Sequence, residues 1–303
     1  MVKSRPFTSM DDLAAMKRLL SAALRSHPHA SLHPGDLDWR FFATTIGQPR
    51  EELLRLWHDA EGTLLGFLFA YPSVGAADLL VQPSLRGSPI EAQMIHEAEP
   101  HLVALADKYA QWFQWFVFGD DIQRRRLFES RGSTGFECRV HLAQTITDKL
   151  LTPRLPAGFS FLEHQAADYA EKRAEVHAAA FDSPPVTYQR YKALVQAPNY
   201  DPTLDVVVVA PDGQWAAFAL AWADTNSKVG VFEPVGTRPR YQRMGLGKAA
   251  IEEAMRRMQA RGIDIATVRT QASMTDAIAF YQAVGFAHRN SIYCYQHGAA
   301  VHA

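Results

Sequence analysis

The sequence is poor in cysteine, and this scarcity limits the kinds of protein it can encode. Only Cys138 and Cys294 occur in 303 residues, too few for a disulfide scaffold. No Cys-x-x-Cys pair is present and the twelve histidines are scattered, so no segment has the ligand spacing of a zinc site. We therefore expect no metal. We also expect both cysteines to be buried packing residues, and Cys294 not to be a nucleophile.

The sequence also lacks a long apolar run and a large net charge. Its most apolar window, residues 64–81, contains Gly66, Pro72, Gly75 and Asp78, which suits strands and a turn better than a lipid-spanning helix. No apolar signal core follows the N-terminus. A formal net charge of −1 gives no electrostatic reason to expect nucleic acid or an anionic membrane as partner. We expect a cytoplasmic protein whose ligands are small molecules.

An internal repeat is present, with a period of about 151–156 residues. Residues 59–62 and 210–213 are both predicted hairpin turns between apolar strands. Pro83 corresponds to Pro239, and the two cysteines also lie one period apart. The two halves of the chain are therefore predicted to share one architecture.

The repeat predicts two domains separated by a linker. Residues 147–158 contain proline and glycine without sustained periodicity, as a linker would. Residues 1–146 and 159–303 are then the two domains, and a hydrophobic content of 48% can supply a core to each. Each half has the pattern of an opening helical region, two or three strands, a central helix, a strand, a shorter helix and a final strand. The predicted fold class is mixed α/β.

The most informative segment is residues 235–248, which leave a β-branched stretch and enter a helix. Gly245 and Gly247 lack Cβ atoms, so an anion can approach the backbone N–H groups that open the helix. The helix dipole adds to this attraction. A Gly-x-Gly at such a position can equally be a tight turn, but the pattern is typical of a phosphate-binding loop.

The first half does not repeat this loop. Alignment of Pro83 with Pro239 places Pro89 and Glu91 opposite the two glycines. Proline has no N–H to donate and glutamate repels a phosphate. We therefore expect ligand chemistry in the second half only.

Two ordered motifs of the second half resemble the GNAT superfamily of N-acetyltransferases. Residues 242–247 match its acyl-CoA loop, Arg or Gln, x, x, Gly, x, Gly or Ala. Residues 277–286 match its later alanine-bearing helix followed by Leu-Tyr-x-x-x-Gly-Phe, with Phe280 in place of the leucine. One departure is Met274, where the family often has asparagine. The whole chain resembles tandem GNAT proteins, mycothiol synthases among them, with a degenerate first copy.

The resemblance implies that acetyl-CoA is the co-substrate and lies in a V-shaped opening between two splayed parallel strands. Its pyrophosphate would lie on the loop, and its pantetheine arm would lie along the strand that ends near Val235. The implied contacts are Val235, Thr237, Gln242, Arg243, Met244, Gly245, Leu246, Gly247 and Lys248.

The resemblance also implies a base and an acid, which the direct attack of an amine on a thioester requires. Glu233 lies on the strand where many GNAT enzymes carry the carboxylate that takes the amine proton, and Tyr281 would protonate the leaving thiolate. By spacing alone, Glu233 could equally be a solvated strand-end residue and Tyr281 a core aromatic. Candidates for the acceptor pocket are Phe181, Asp182, Tyr188, Trp222 and Asp224.

Two alternatives to an N-acetyltransferase acting on a small primary amine remain open. A non-catalytic acyl-CoA sensor would keep the loop without a working base and acid. A dinucleotide-binding domain could use Ala250 as its third glycine equivalent and Asp264 as its ribose-binding acid, although polar residues precede Gly245 where a strand should. We expect a monomer, with the halves as an internal pseudo-dimer, or a homodimer.

Overall fold

The computed structural model describes residues 2–29, 31–109, 112–147, 152–163, 166–181 and 187–296. The first half contains strands β1 (Lys3–Pro6), β2 (Leu54–His58), β3 (Leu64–Tyr71), β4 (Ala76–Val81), β5 (Gln114–Phe118) and β6 (Gly135–Thr145), and helices α1 (Met10–Ser26), α2 (Pro34–Trp39), α3 (Arg50–Leu53), α4 (Pro89–Tyr109) and α5 (Ile122–Ser130). The second half contains strands β7 (Ser160–Phe161), β8 (Asp205–Val209), β9 (Trp215–Asp224), β10 (Val229–Thr237), β11 (Ile265–Gln271) and β12 (Ala287–Gln296), and helices α6 (Ala170–Ala180), α7 (Tyr188–Leu194), α8 (Leu246–Gln259) and α9 (Thr275–Val284). The predicted mixed α/β class is confirmed, and the order of elements follows the prediction except that a short strand, β1 or β7, precedes the opening helices of each half.

The two predicted hairpins both form, between β2 and β3 and between β8 and β9. The Asp59 N–H donates to the Thr63 carbonyl oxygen and the Ala210 N–H to that of Gln214. Gly62 and Gly213 both have positive φ, 84° and 77°, a conformation that favours glycine in such turns.

The strands described form one twelve-stranded sheet, in which the halves exchange their last strands. The order is β1-β2-β3-β4-β5-β12-β6-β11-β10-β9-β8-β7. Strand β6 of the first half is antiparallel to β11 of the second half, and β12 of the second half is antiparallel to β5 of the first. The two exchanged strands also pair with each other. The predicted linker follows β6, and its residues 148–151 lie outside the described residues.

The exchange extends into the packing of the two main hydrophobic clusters. The cluster of the first half includes Ile292 and Tyr295 of β12, both buried. The cluster of the second half includes Val140 and Leu142 of β6. Each half therefore completes its core with apolar side chains from the other.

The exchange also brings the two cysteines together. Cys138 on β6 and Cys294 on β12 form a disulfide, with Cα atoms 5.8 Å apart. Cys294 is buried, as expected, but the expectation that the cysteines only pack is wrong. The reason is topological, because residues 156 positions apart become neighbours only when the last strands of both halves lie side by side.

Strands β10 and β11 diverge at the end of the sheet that leads to the loop. They pair in parallel from Val229 with Ile265 to Phe232 with Val268, and the pairing stops there. Strand β10 also shifts register against β9 between Phe232 and Val235. The backbone of β10 beyond Phe232 is therefore released from β11, which opens a cleft between the two strands.

Candidate active site

The loop before α8 has the geometry of an anion-binding helix N-terminus. The first helical hydrogen bond runs from the Ala249 N–H to the Gly245 carbonyl oxygen, so the N–H groups of Leu246, Gly247 and Lys248 have no partner within the helix. Gly245 has φ of 81°, and Arg243 also has positive φ, 64°. The left-handed turn thus points several backbone donors toward one space, as phosphate binding requires.

Gly247 has a second role, which is to allow close packing around the loop. A Cβ atom at this position would lie 3.1 Å from the Thr237 hydroxyl oxygen and 3.3 Å from the Phe280 ring. The glycine therefore lets the end of β10 and helix α9 approach α8 from both sides. A larger residue would push apart the walls of the cleft.

A cleft of about 480 Å³ lies between this loop, the end of β10 and helix α9. Of the nine predicted co-substrate contacts, eight line the cleft: Val235, Thr237, Gln242, Arg243, Gly245, Leu246, Gly247 and Lys248. Met244 is not among the lining residues, and its side chain is exposed. The side chains that line the cleft are polar at the loop and mostly apolar along α9. This distribution fits a pyrophosphate joined to a pantetheine arm.

Tyr281 lies on α9 and lines this cleft, while its side chain is otherwise buried. Its ring packs edge-on against Phe286. Burial, with the nearby negative charge of Glu233, raises the pKa of the Tyr281 phenol. The phenol is therefore protonated at neutral pH and can donate a proton into the cleft.

Glu233 lies on β10, two residues before Val235, and lines a second cavity of about 190 Å³. Burial raises the pKa of its carboxyl, and the negative charge of Asp36 acts in the same direction, although Arg269, Arg139 and Arg40 oppose both. A carboxylate with a raised pKa is a stronger base than one in water. The two predicted catalytic residues thus line separate cavities, and they are near enough for the charge of Glu233 to act on the Tyr281 phenol.

Both halves build the second cavity, and the sequence did not indicate most of its wall. Besides Glu233 and Arg269 of the second half, it is lined by Asp36, Trp39, Arg40, Thr44, Tyr71, Ser73, Val74, Phe116 and Arg139. These first-half residues belong to separate elements and follow no motif. The repeat alone could have suggested that the first half contributes to the site, but not through which side chains.

The predicted acceptor residues lie elsewhere, apart from Phe181 at the wall of the cleft. Trp222 is fully buried and donates its indole N–H to the Glu233 carbonyl oxygen at 2.9 Å, so it holds the backbone of Glu233 in place. Asp224 is buried and accepts a hydrogen bond from Ser227 at 2.6 Å. Tyr188 is an exposed residue at the start of α7. Trp222, Asp224 and Tyr188 line neither cavity, so their assignment to the acceptor pocket stays a prediction.

Asp182, the fifth predicted acceptor residue, lies outside the described residues.

The loop of the first half is closed by one of its own side chains. The buried Glu91 carboxylate accepts a hydrogen bond from the Gly87 N–H and another from the Arg124 Nε at 2.7 Å. Gly87 has positive φ, as does Arg243 one repeat later. A carboxylate of the protein therefore lies where an external anion would have to enter, with Arg124 as its counter-ion.

Met274 stands at the N-cap of α9, where the resemblance leads one to expect asparagine. It makes no capping hydrogen bond, and its side chain is 47% exposed. The polar contact that an asparagine would supply at this end of the cleft is missing from this helix.

Asp264, the acid that a dinucleotide site would need, pairs with Lys228 at 3.4 Å. The two residues stand just before β11 and β10, whereas the loop follows the opposite end of β10. Asp264 therefore lies at the opposite end of the strands from the loop, too far away to bind a ribose there.

Comparison with known proteins agrees with this geometry. Residues 166–286 match the family model described as the acetyltransferase (GNAT) family. This part of the chain is a GNAT acetyltransferase domain. The matched residues include Glu233, the loop before α8, and Tyr281.

Curated relatives extend the similarity to most of the chain. A mycothiol acetyltransferase of Streptomyces coelicolor is 26% identical over 286 residues, which cover 90% of this chain and 87% of the relative. A mycothiol acetyltransferase of Thermobispora bispora is 23% identical over 253 residues, covering 80% and 83%. The similarity therefore includes both halves and supports a tandem GNAT arrangement.

Solved structures show the same fold. A GCN5-related N-acetyltransferase from Sphaerobacter thermophilus superposes with a TM-score of 0.66 at 18% identity, over 98% of this chain and 95% of the other. A tandem GNAT protein from the clavulanic acid biosynthesis pathway gives a TM-score of 0.64 at 15% identity, over 98% of both chains. At these identities the likeness concerns the fold alone.

None of the helices among the described residues combines the length and apolar composition needed to cross a bilayer. The same residues contain no group of three or more side chains arranged to hold a metal ion.

Proposed function

We propose that the second half transfers the acetyl group of acetyl-CoA to a primary amine of a small molecule, by direct attack in a ternary complex. The observation that carries the proposal is that Glu233 and Tyr281 line two separate cavities and are near enough for the charge of Glu233 to act on the phenol. One space suits the co-substrate and the other the acceptor.

The co-substrate would lie with its pyrophosphate on the N–H groups of residues 243–248. The released backbone of β10 near Val235 would bond the amides of the pantetheine arm and polarise the thioester carbonyl. The lining by Thr237, Phe280 and Tyr281 supports this placement, since it brings the thioester end of the cleft close to the phenol.

The reaction would begin with proton transfer from the acceptor ammonium to Glu233, directly or through water. The freed nitrogen attacks the thioester carbonyl carbon, forming a C–N bond, and the C–S bond then breaks. The departing thiolate takes its proton from the Tyr281 phenol. The nitrogen, which is cationic after the attack, gives up its second proton, and this proton returns to the Tyr281 phenolate, while Glu233 releases the first proton to solvent. The products are an amide, free CoA and one proton.

Mass spectrometry of the purified protein with acetyl-CoA and a panel of small amines tests the proposal. We expect an acetylated amine whose formation matches the release of CoA. Binding of acetyl-CoA without any transfer across the panel would favour the sensor alternative instead.

A further inference from the structure

The cavity beside Glu233 contains three arginines and two carboxylates, and most of these charges are paired within the protein. Arg40 donates to the Asp78 carboxylate at 2.6 Å and also to the Tyr71 hydroxyl. Arg269 forms an ion pair with Asp36. These two arginines are thus neutralised by groups of the protein itself.

Arg139 and Glu233 are the exceptions. Within the described part of the chain, neither side chain has a hydrogen bond or an ion pair. The Arg139 guanidinium only rests over the Phe116 ring, 4.8 Å from its centroid. Both residues nevertheless line the same cavity. A cation and an anion that attract each other, but that have no hydrogen-bonded side-chain partner among the described residues, therefore share one cavity, and their hydrogen-bonding groups are open to a ligand.

The sheet places these two charges on strands that flank β11. Arg139 lies on β6 opposite Gln271 of β11, and Glu233 lies on β10, beyond the last pair with β11. Two spacings of a regular sheet amount to about 10 Å, and the divergence of β10 from β11 beyond Phe232 adds to that separation. Both side chains line the same cavity. A small molecule with charged groups at its two ends can reach both.

We propose that the acceptor is a small amine that also carries an anionic group, a carboxylate or a phosphate. Its ammonium is held by Glu233, and its anion by the planar fork of Arg139, which matches either oxyanion. This inference rests on the proposed function, because it names the substrate class of the same site. The cavity, smaller than the co-substrate cleft, favours a compact acceptor.

Pairs of amines that differ only in the anion test this directly. Suitable pairs are glycine with glycinamide, β-alanine with its amide, and phosphoethanolamine with ethanolamine. The rate for each amine is divided by the concentration of its unprotonated form, so that the two members of a pair can be compared. We expect kcat/KM to favour the anionic member by about 10- to 100-fold, the usual effect of one charge-assisted hydrogen-bonded pair. The first two pairs report carboxylate recognition and the third phosphate recognition.

Arg139→Gln should remove the preference, because the anionic member loses its partner and slows more than the neutral member. Arg139→Lys, which keeps the charge but loses the fork, should retain part of it. Arg126→Gln is the matched control, because Arg126 is exposed on α5, away from the cavity. Acetyl-CoA affinity should be the same in all three variants, which also shows that each is folded.

Calorimetry of each amine with the protein–CoA complex separates this inference from the proposed reaction. Equal acetylation of anionic and neutral amines, or a preference that survives Arg139→Gln, would overturn the inference and leave the reaction standing. Selective binding of the anionic amine without acetyl transfer would support the inference and reject the reaction. Absence of any anionic preference in both binding and turnover of the wild type overturns the inference whatever the variants do.

Discussion

Glu233 and Tyr281 lie on separate elements, and their environments suit opposite roles. Burial raises the pKa of both groups. For the carboxylate this means a stronger base, and for the phenol it means that the proton stays on the oxygen at neutral pH, so the group is in its acid form when the thiolate leaves. Trp222 donates a hydrogen bond to the backbone carbonyl oxygen of Glu233, whose carboxylate lines the proposed acceptor cavity.

Tyr281→Phe tests the acid. We expect kcat to fall by about 10²- to 10⁴-fold with nearly unchanged acetyl-CoA affinity, because only the hydroxyl is removed and the ring still packs on Phe286. Steady-state kinetics and calorimetry measure the two quantities. Unchanged turnover would remove Tyr281 from the mechanism.

Glu233→Gln tests the base and its environment through the pH dependence of stability. A carboxyl whose pKa is raised in the folded state destabilises the protein progressively as the pH rises above the pKa of the unfolded carboxyl, and fully once the pH exceeds the folded-state pKa. The glutamine variant should therefore have a higher Tm than the wild type at pH 8, while losing activity. The difference should shrink as the pH falls toward about 4.3, the pKa of an unfolded glutamate.

Glu171→Gln is the control for this comparison, since Glu171 is exposed on α6. Thermal melts across the pH range are the measurement. A Tm difference that stays constant with pH would show that the charge of Glu233 is not strained in the folded protein.

At this scale the sequence predicted the residues that belong to motifs and missed the rest. Glu233, Tyr281 and the loop stand at fixed spacings within one domain, so a single pattern contains them all. Asp36 on α2 and Arg139 on β6 belong to the other half, and they line the cavity only because the two halves pack against each other. No local periodicity encodes such a meeting of distant segments.

The last strand of each half is the element that binds the molecule together. The sequence predicted a final strand in each half but gave no information on the partners of these strands. A strand in a repeat can pair within its own half or with the other half, because both choices present similar neighbours. The disulfide between Cys138 and Cys294 was unpredictable for the same reason.

Separation of the halves tests the exchange. Residues 1–146 and 159–303, produced as two chains, should associate tightly when co-expressed and aggregate when produced alone, since each alone lacks a strand of its sheet and exposes open edges. After oxidation the two chains should migrate as one covalent species on a non-reducing gel, and Cys294→Ser should separate them. Two soluble, monomeric halves would contradict the exchanged sheet.

For the whole molecule, the two halves have different roles in one site. The first half keeps the fold but fills its own anion position with Glu91, held by Arg124. It contributes instead most of the wall around the proposed acceptor cavity. The sequence indicated a degenerate first copy, yet it did not reveal that this copy would line that cavity.

The asymmetry of the two halves is the central claim, and calorimetric titration with acetyl-CoA tests it most directly. We predict one molecule bound per chain and a loss of affinity of at least about tenfold in Gly245→Glu, which places a negative charge where the pyrophosphate belongs. Gly245→Ala shares the unfavourable positive φ without the charge and should bind much more tightly than Gly245→Glu. Two molecules per chain, or normal affinity in Gly245→Glu, would contradict the account.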